Sequence, residues 1–228
     1  RLTKTCESGN MNMYVLCVVK YKKGAHAMKL IGIVGTNSAK STNRQLLQYM
    51  QSHFADKAEI ELVEIKDLPT FNKPADRTLP ENVQDLVTKL EAADGVIIGT
   101  PEYDHSIPAV LMNALAWVSY GVYPLLNKPV MITGASYGTL GSSRAQLQLR
   151  QILNAPELKA TVLPDEFLLS HSLQAFNAAG ELNDLETSQK LDAIFDDFRL
   201  FVKMTEKLSN AKALLKKEAE NFDWENLD

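Results

Sequence analysis

The stretch KLIGIVGTNSAKSTNRQLLQYMQSHF, residues 29–54, decides the fold. It opens almost wholly apolar over KLIGIVG, which suits a strand buried on both faces of a parallel sheet. It closes with Leu46, Leu47, Met50 and Phe54 spaced as one apolar stripe of a helix. Between the two lies a loop of small hydroxyl and amide side chains, Thr36, Asn37, Ser38, Ser41, Thr42 and Asn43. A strand that passes through such a loop straight into a helix predicts the first unit of an α/β sheet. The free amides and dipole at the helix start make the loop a seat for an anion.

The alternation continues outward from there. EIELVEI (59–65) reads as an edge strand, the Pro-bearing 67–80 as a loop, and ENVQDLVTKLEAAD (81–94) as a helix with Val83, Leu86, Val87 and Leu90 on one side. GVIIGT (95–100) is the third strand, and Pro108 suits the first turn of the helix running through AVLMNALAWV (109–118). PVMITGA (129–135), the helical 143–153, a short fifth strand over ATVLP (160–164) and a long amphipathic helix over 185–208 complete the pattern. Right-handed crossovers then predict a doubly wound, five-stranded parallel sheet of order 2-1-3-4-5 with helices on both faces. Ligands of such sheets bind beyond the strand carboxyl ends where the order reverses, here between strands one and three. Three loops converge there: 35–43, 100–106 and 134–142.

Residues 28–208 are therefore expected to form one domain. The first 27 residues break the pattern: MNMYVLCVV resembles a signal core, but KYKKG puts positive charge after it rather than before. They are expected to be an expression-derived or upstream-frame extension, or disordered, with an extra strand or an export signal as the alternatives. Residues 209–228 are charged and expected to form a helix extension, a tail or a linker to other redox modules.

Composition excludes several function classes. The formal charge is −4, with 24 Lys and Arg scattered among 28 Asp and Glu, so nucleic acid is not an expected partner. Cys6 and Cys17 are the only cysteines, leaving residues 18–228 without a thiol nucleophile, Cys-ligated metal or disulfide, as a reducing cytoplasm allows. The four histidines lack metal-ligand spacing, and no apolar run reaches the ~18 residues of a membrane span.

The loop suits one compact phosphate monoester better than a triphosphate. Lys40 and Ser41 match the end of a GxxxxGK[ST] loop, but Ala39 and Val34 stand at its glycine positions, and GVIIGT ends without a magnesium-binding acid. A GxGxxG dinucleotide fingerprint is also missing. For Ser41 or Thr42 alone, a plain helix cap is the competing reading. In the second loop, Pro101, Glu102 and Tyr103 stand where a flat heterocycle would be bordered. Glu102 or Asp104 read locally could instead cap the helix after Pro108. In the third, Gly134, Gly138 and Gly141 allow close backbone approach to a ligand.

Taken together, GTNSAKSTNRQLL, PEYDHSIPAVLMNALAW and GASYGTLGSSRAQLQLRQIL, in order and each after its strand, resemble the flavodoxin-like NAD(P)H-dependent FMN reductases, which include azoreductases and quinone or chromate reductases. The resemblance implies a flavodoxin-like fold with FMN as cofactor and NADPH or NADH as co-substrate. Hydride would pass to flavin N5, then electrons to a small acceptor such as flavin, quinone, azo compound or metal oxyanion. It implies that Ser38, Ser41, Thr42 and Asn43, with Lys40 and Arg44, hold the phosphate. Pro101, Glu102, Tyr103 and Asp104 would line the isoalloxazine, and Ser136, Tyr137 and Gly138 its pyrimidine side, with Tyr103 and Tyr137 flanking the reacting face. Two departures stand out: Ser38 occupies the place of a frequent family arginine, and Asp104 that of the usual Asn. A homodimer or homotetramer is implied, with the apolar helix around Leu111, Met112, Leu115 and Trp117 near the flavin and Trp117 reaching the partner's site. The alternative is a flavodoxin-like electron carrier, or a non-catalytic flavin-binding module of a larger redox system.

Overall fold

The computed structural model describes residues 27–220, so the expectations for residues 1–26 and 221–228 lie outside the described residues. Strands β1 (Lys29–Val34), β2 (Glu59–Glu64), β3 (Gly95–Gly99) and β4 (Pro129–Ala135) pair in parallel in the order β2-β1-β3-β4. The fifth place in the sheet is shared. β5 (Thr161–Val162) pairs with Pro129 and Val130, and β6 (Phe167–Leu169) pairs with Thr133 to Ala135. The single strand expected over 160–164 is thus shorter than anticipated, and β6 escaped the sequence reading. Pro164 follows Leu163, whose amide donates the last bond to Val130 O at 2.8 Å. Having no N–H of its own, Pro164 cannot extend a ladder, and three residues of β6 are too few to show a period.

Alternation along the strands divides the interior between two faces. Ile31, Ile33, Val96, Ile98, Val130 and Ile132 meet helices α2 (Glu81–Ala92), α3 (Ala109–Val118) and α4 (Ser143–Leu153). Leu30, Val34, Ile97 and Met131 meet α1 (Thr42–His53) and α5 (Leu185–Glu220). On this second face Phe54 and Phe195 stack with ring centroids 3.7 Å apart, both fully buried, locking α5 onto the end of α1. α5 runs unbroken past Leu208 to Glu220, so residues 209–220 continue the last helix.

The loop over 67–80 is pinned along α3. Asn113 accepts from Phe71 N at 2.7 Å and donates to Pro69 O at 3.0 Å, while Tyr120 Oη donates to Pro74 O at 3.0 Å. The Trp117 indole donates to Pro69 O at 2.7 Å and is 2% exposed. This corrects the expectation that Trp117 reaches a partner's site: its ring is core, wedged edge-on against Phe71.

At the carboxyl ends the strands are drawn together. Gly35 N donates to Gly99 O at 2.8 Å, and a Cβ on Gly35 would lie 2.5 Å from that same oxygen, so only glycine permits the contact. Asn43, in the first turn of α1, crosses under the loops to β4. Its Nδ2 donates to Ala135 O at 2.9 Å and its Oδ1 accepts from Ala135 N at 2.8 Å, both buried.

Two stability tests follow from these contacts. Phe195→Ala removes a stacked buried ring and should cost about 3–5 kcal/mol in urea unfolding. Asn43→Ala leaves both polar groups of Ala135 unpaired in the interior and should cost about 2–4 kcal/mol by the same measurement; an unchanged midpoint would mean the α1–β4 tie is dispensable.

Candidate functional site

The three loops meet at the switch point between β1 and β3 and enclose a cleft of about 390 Å³, lined by Ser38, Lys40–Asn43, Pro101–Tyr103 and Ala135–Tyr137. Each wall is built differently.

The first wall is the start of α1. Ser41 is the N-cap, its Oγ accepting from Arg44 N at 3.2 Å, so the cap reading holds for this side chain. Thr42 Oγ1 is bonded to Ser172 Oγ at 2.8 Å, and Asn43 is committed to Ala135. What this turn still offers to an anion is backbone: among the described residues the amides of Thr42 and Asn43 have no hydrogen-bond acceptor. Ser38 Oγ donates to Lys40 O at 3.0 Å, which curls the loop and sets the exposed Lys40 at the rim of the cleft. Buried Thr36 supports the loop from beneath, its Oγ1 accepting from Ser38 N at 3.2 Å and lying 3.3 Å from Tyr103 Oη.

Arg44 does not line the cleft. It forms a two-pronged pair with Glu64 of β2 at 2.6 and 2.9 Å and donates to Ser38 O at 2.6 Å from behind the loop. The hydrogen bond to Glu64 holds its guanidinium above the ordinary pKa. Its role as an anion ligand is therefore replaced by bracing: a charge already neutralised by a carboxylate fixes the loop from its outer side.

The second wall follows β3. Tyr103 and Ser106 exchange backbone bonds at 3.0 and 2.9 Å around Asp104 and His105, whose φ angles are 51° and 63°. This is the geometry of a two-residue hairpin turn with both central residues left-handed, a place where a short side chain such as Asp or Asn is tolerated. Asp104 accordingly sits at an exposed turn tip and does not line the cleft. Glu102 does line it, yet its carboxylate accepts from Arg144 N at 3.0 Å and Ala145 N at 3.4 Å and pairs with Arg144 Nη1 at 3.3 Å. It caps α4, not the helix after Pro108. The local cap Ser142 has φ of 65° and makes no capping bond, so α4 takes its cap from a different loop.

The third wall follows β4. A Cβ on Gly134 would lie 1.7 Å from Ser142 Oγ and 2.8 Å from Thr100 O, so a side chain is excluded where β3, β4 and α4 meet. Ser136 Oγ donates to Gly138 O at 3.1 Å and accepts from Gly141 N at 2.9 Å, closing the loop on itself. Gly138 stands behind this closure and outside the lining, its carbonyl also accepting from His171 N at 2.9 Å. Tyr137 projects from the rim with 59% of its surface exposed, and Tyr103 stands at 46%.

Several supports were not foreseen. Gln146 is fully buried and donates to Phe167 O at 3.0 Å, joining α4 to β6. Gln148 Oε1 accepts from Ser106 Oγ at 2.7 Å and from Ile107 N at 2.9 Å, holding the second loop. A glutamine beside Ala145 and Leu149 on an otherwise apolar stripe was the available signal for Gln146. Ser172 and Ala135 carry no such signal.

The family model for NADPH-dependent FMN reductase matches residues 28–174. The NADH:(hydroxy)cinnamate reductase subunit CrdA of Vibrio ruber is 52% identical over 199 residues, spanning 87% of this chain and 98% of that protein. The NADH-dependent flavin reductase subunit 2 of Lactobacillus johnsonii is 44% identical over 187 residues, 79% of this chain and 100% of that one. Among solved structures, the flavoenzyme NAD(P)H:(acceptor) oxidoreductase FerB of Paracoccus denitrificans matches with a TM-score of 0.69 and 29% identity, over 79% of this chain and 98% of that one. Fold, three-loop cleft and sequence agree, and the chain belongs to the NADPH-dependent FMN reductase family.

Proposed function

We propose that this oxidoreductase binds FMN in the three-loop cleft, draws reducing equivalents from NADH and passes them to a small acceptor of the flavin or quinone kind. The observation that carries the reading is the first turn of α1. Two unpaired amides and one lysine at a helix start form a seat for a single phosphate, beside a cleft bordered by two exposed tyrosines. Bound there, FMN would supply the chemistry, accepting hydride from the nicotinamide and releasing electrons to the second substrate.

The protein's own contribution is binding and orientation. The amides of Thr42 and Asn43 with Lys40 hold the phosphate end. Pro101 and Tyr103 would border the ring, and the backbone of Ser136 and Tyr137 would meet its polar edge. Glu102, Arg44 and Asn43 work one step away, fixing α4, the phosphate loop and β4. Tyr137 on the rim flanks the open face, where donor and acceptor would take turns.

NADH is favoured over NADPH on charge. Lys40 is the cation lining the cleft, while Arg44 and Arg144 are held by Glu64 and Glu102. None of these is left to grip a second phosphate monoester. The two curated relatives described above also carry NADH in their names. Both are named as subunits, which favours a second reading: electrons pass from this chain to a companion protein rather than directly to a free acceptor.

Anaerobic mixing of the FMN-loaded protein with NADH separates the possibilities. Rapid bleaching of the flavin, with kcat/KM for NADH above that for NADPH, is expected; protein that stays yellow with both donors is a carrier, and protein that binds no FMN sinks the proposal. Lys40→Ala should weaken FMN by about 1 kcal/mol, roughly five-fold, through loss of one exposed charge-assisted contact, and leave riboflavin affinity unchanged. Equal losses for FMN and riboflavin would remove Lys40 from the phosphate seat.

A further inference from the structure

The 2.8 Å bond between Thr42 Oγ1 and Ser172 Oγ joins two hydroxyls in different surroundings. Ser172 is 1% exposed and stands outside the lining of the cleft, while Thr42 is half-buried and belongs to that lining. The backbone around Ser172 is fixed by the third loop. Ser172 N donates to Ser136 O at 2.9 Å, and His171 N donates to Gly138 O at 2.9 Å. The buried hydroxyl is thus held at the back of the first turn of α1, tied to a different wall of the cleft.

A hydroxyl has one proton to give and two lone pairs to receive with. Among the described residues Thr42 Oγ1 is the sole hydrogen-bond partner of Ser172 Oγ. A buried donor without an acceptor is costly, so the Ser172 proton goes to Thr42 Oγ1. The opposite polarity would leave that proton shut away from water and from any acceptor. Thr42 Oγ1 therefore accepts from behind, and its own proton has no acceptor among the described residues. That proton is left for an occupant of the cleft, at the same turn where the amides of Thr42 and Asn43 are unpaired.

We propose that Ser172 is a positioning residue for a phosphate monoester, donating to Thr42 Oγ1 so that the Thr42 hydroxyl is presented to the anion as a donor. The proposal rests on the reading that the FMN phosphate sits at the start of α1. A hydroxyl free to turn answers a donor or an acceptor equally, whereas one whose oxygen already receives a proton from behind serves as a donor. Hydrogen bonds in such a chain also strengthen one another, so the bond from Ser172 strengthens the one that Thr42 gives. A side-chain donor then joins the two amides and Lys40, and a seat made of donors matches a phosphate dianion, which has only lone pairs to offer.

Fluorescence titration of the flavin-free protein with FMN and with riboflavin tests this. Thr42→Val keeps the shape and removes the hydroxyl; it should weaken FMN roughly ten-fold, the scale of a hydrogen bond to a charged group, and leave riboflavin unchanged. Thr42→Ser should bind both flavins as the unaltered protein does. Ser172→Ala should weaken FMN roughly three-fold, again without effect on riboflavin, and Ser172→Cys, a weaker donor, should fall between Ser172→Ala and the unaltered protein. In the Thr42→Val background neither change at Ser172 should lower FMN affinity further, because no hydroxyl is left to orient. The phosphorus NMR resonance of bound FMN should shift between the unaltered protein and Ser172→Ala, and stay in place between Thr42→Val and Thr42→Val/Ser172→Ala. Equal losses of FMN and riboflavin in both Ser172 variants overturn the proposal, as does a loss that persists undiminished in the Thr42→Val background. Unaltered protein that binds FMN no more tightly than riboflavin overturns the phosphate seat itself, and the proposal with it.

Discussion

The contact between Asn43 and Ala135 organises everything above the sheet. One side chain in the first turn of α1 supplies both the donor and the acceptor that the last residue of β4 needs, and it does so in the interior, where unpaired groups are costly. The helix that carries the phosphate seat is thereby registered against the strand that carries the third loop. Gly35 against Gly99 does the same for β1 and β3 through backbone alone. Three loops from three strands can then share one cleft because their roots are held at hydrogen-bonding distance.

A second layer of ties gives the loops their shape. Arg44 and Glu64 brace the first from β2, Gln148 holds the second from α4, and Ser136 closes the third on itself. Glu102 joins the second loop to the helix that follows the third. Side chains with strong polar groups are thus largely spent on the scaffold, leaving backbone amides, one lysine and two tyrosine rings to face a ligand. Such a surface suits a cofactor that brings its own reactivity and asks the protein mainly for placement.

The sheet order and nearly every element were legible in the sequence because buried parallel strands and amphipathic helices write strong periods, as in GVIIGT and around Leu46, Leu47, Met50 and Phe54. The loops that form the cleft were legible too, since each follows a strand. The tasks of individual side chains were not. Asn43, Arg44 and Glu102 are polar residues beside a ligand cleft, and nothing local to them tells whether they point into it or behind it. That choice is made by Ala135, Glu64 and Arg144, which lie 92, 20 and 42 residues away. Trp117 was misplaced for a similar reason: its partner is a loop carbonyl, Pro69 O, 48 residues earlier. The brief β6 carried no period at all.

The divided fifth strand has a bearing on solubility. A long, regular outer strand presents a row of unpaired backbone donors and acceptors on which another chain can build a ladder. Here that flank consists of two residues, a break containing Pro164, and then three residues. Among the described residues this border offers no uninterrupted run for a stranger's strand to extend, and its own discontinuity opposes runaway strand addition there.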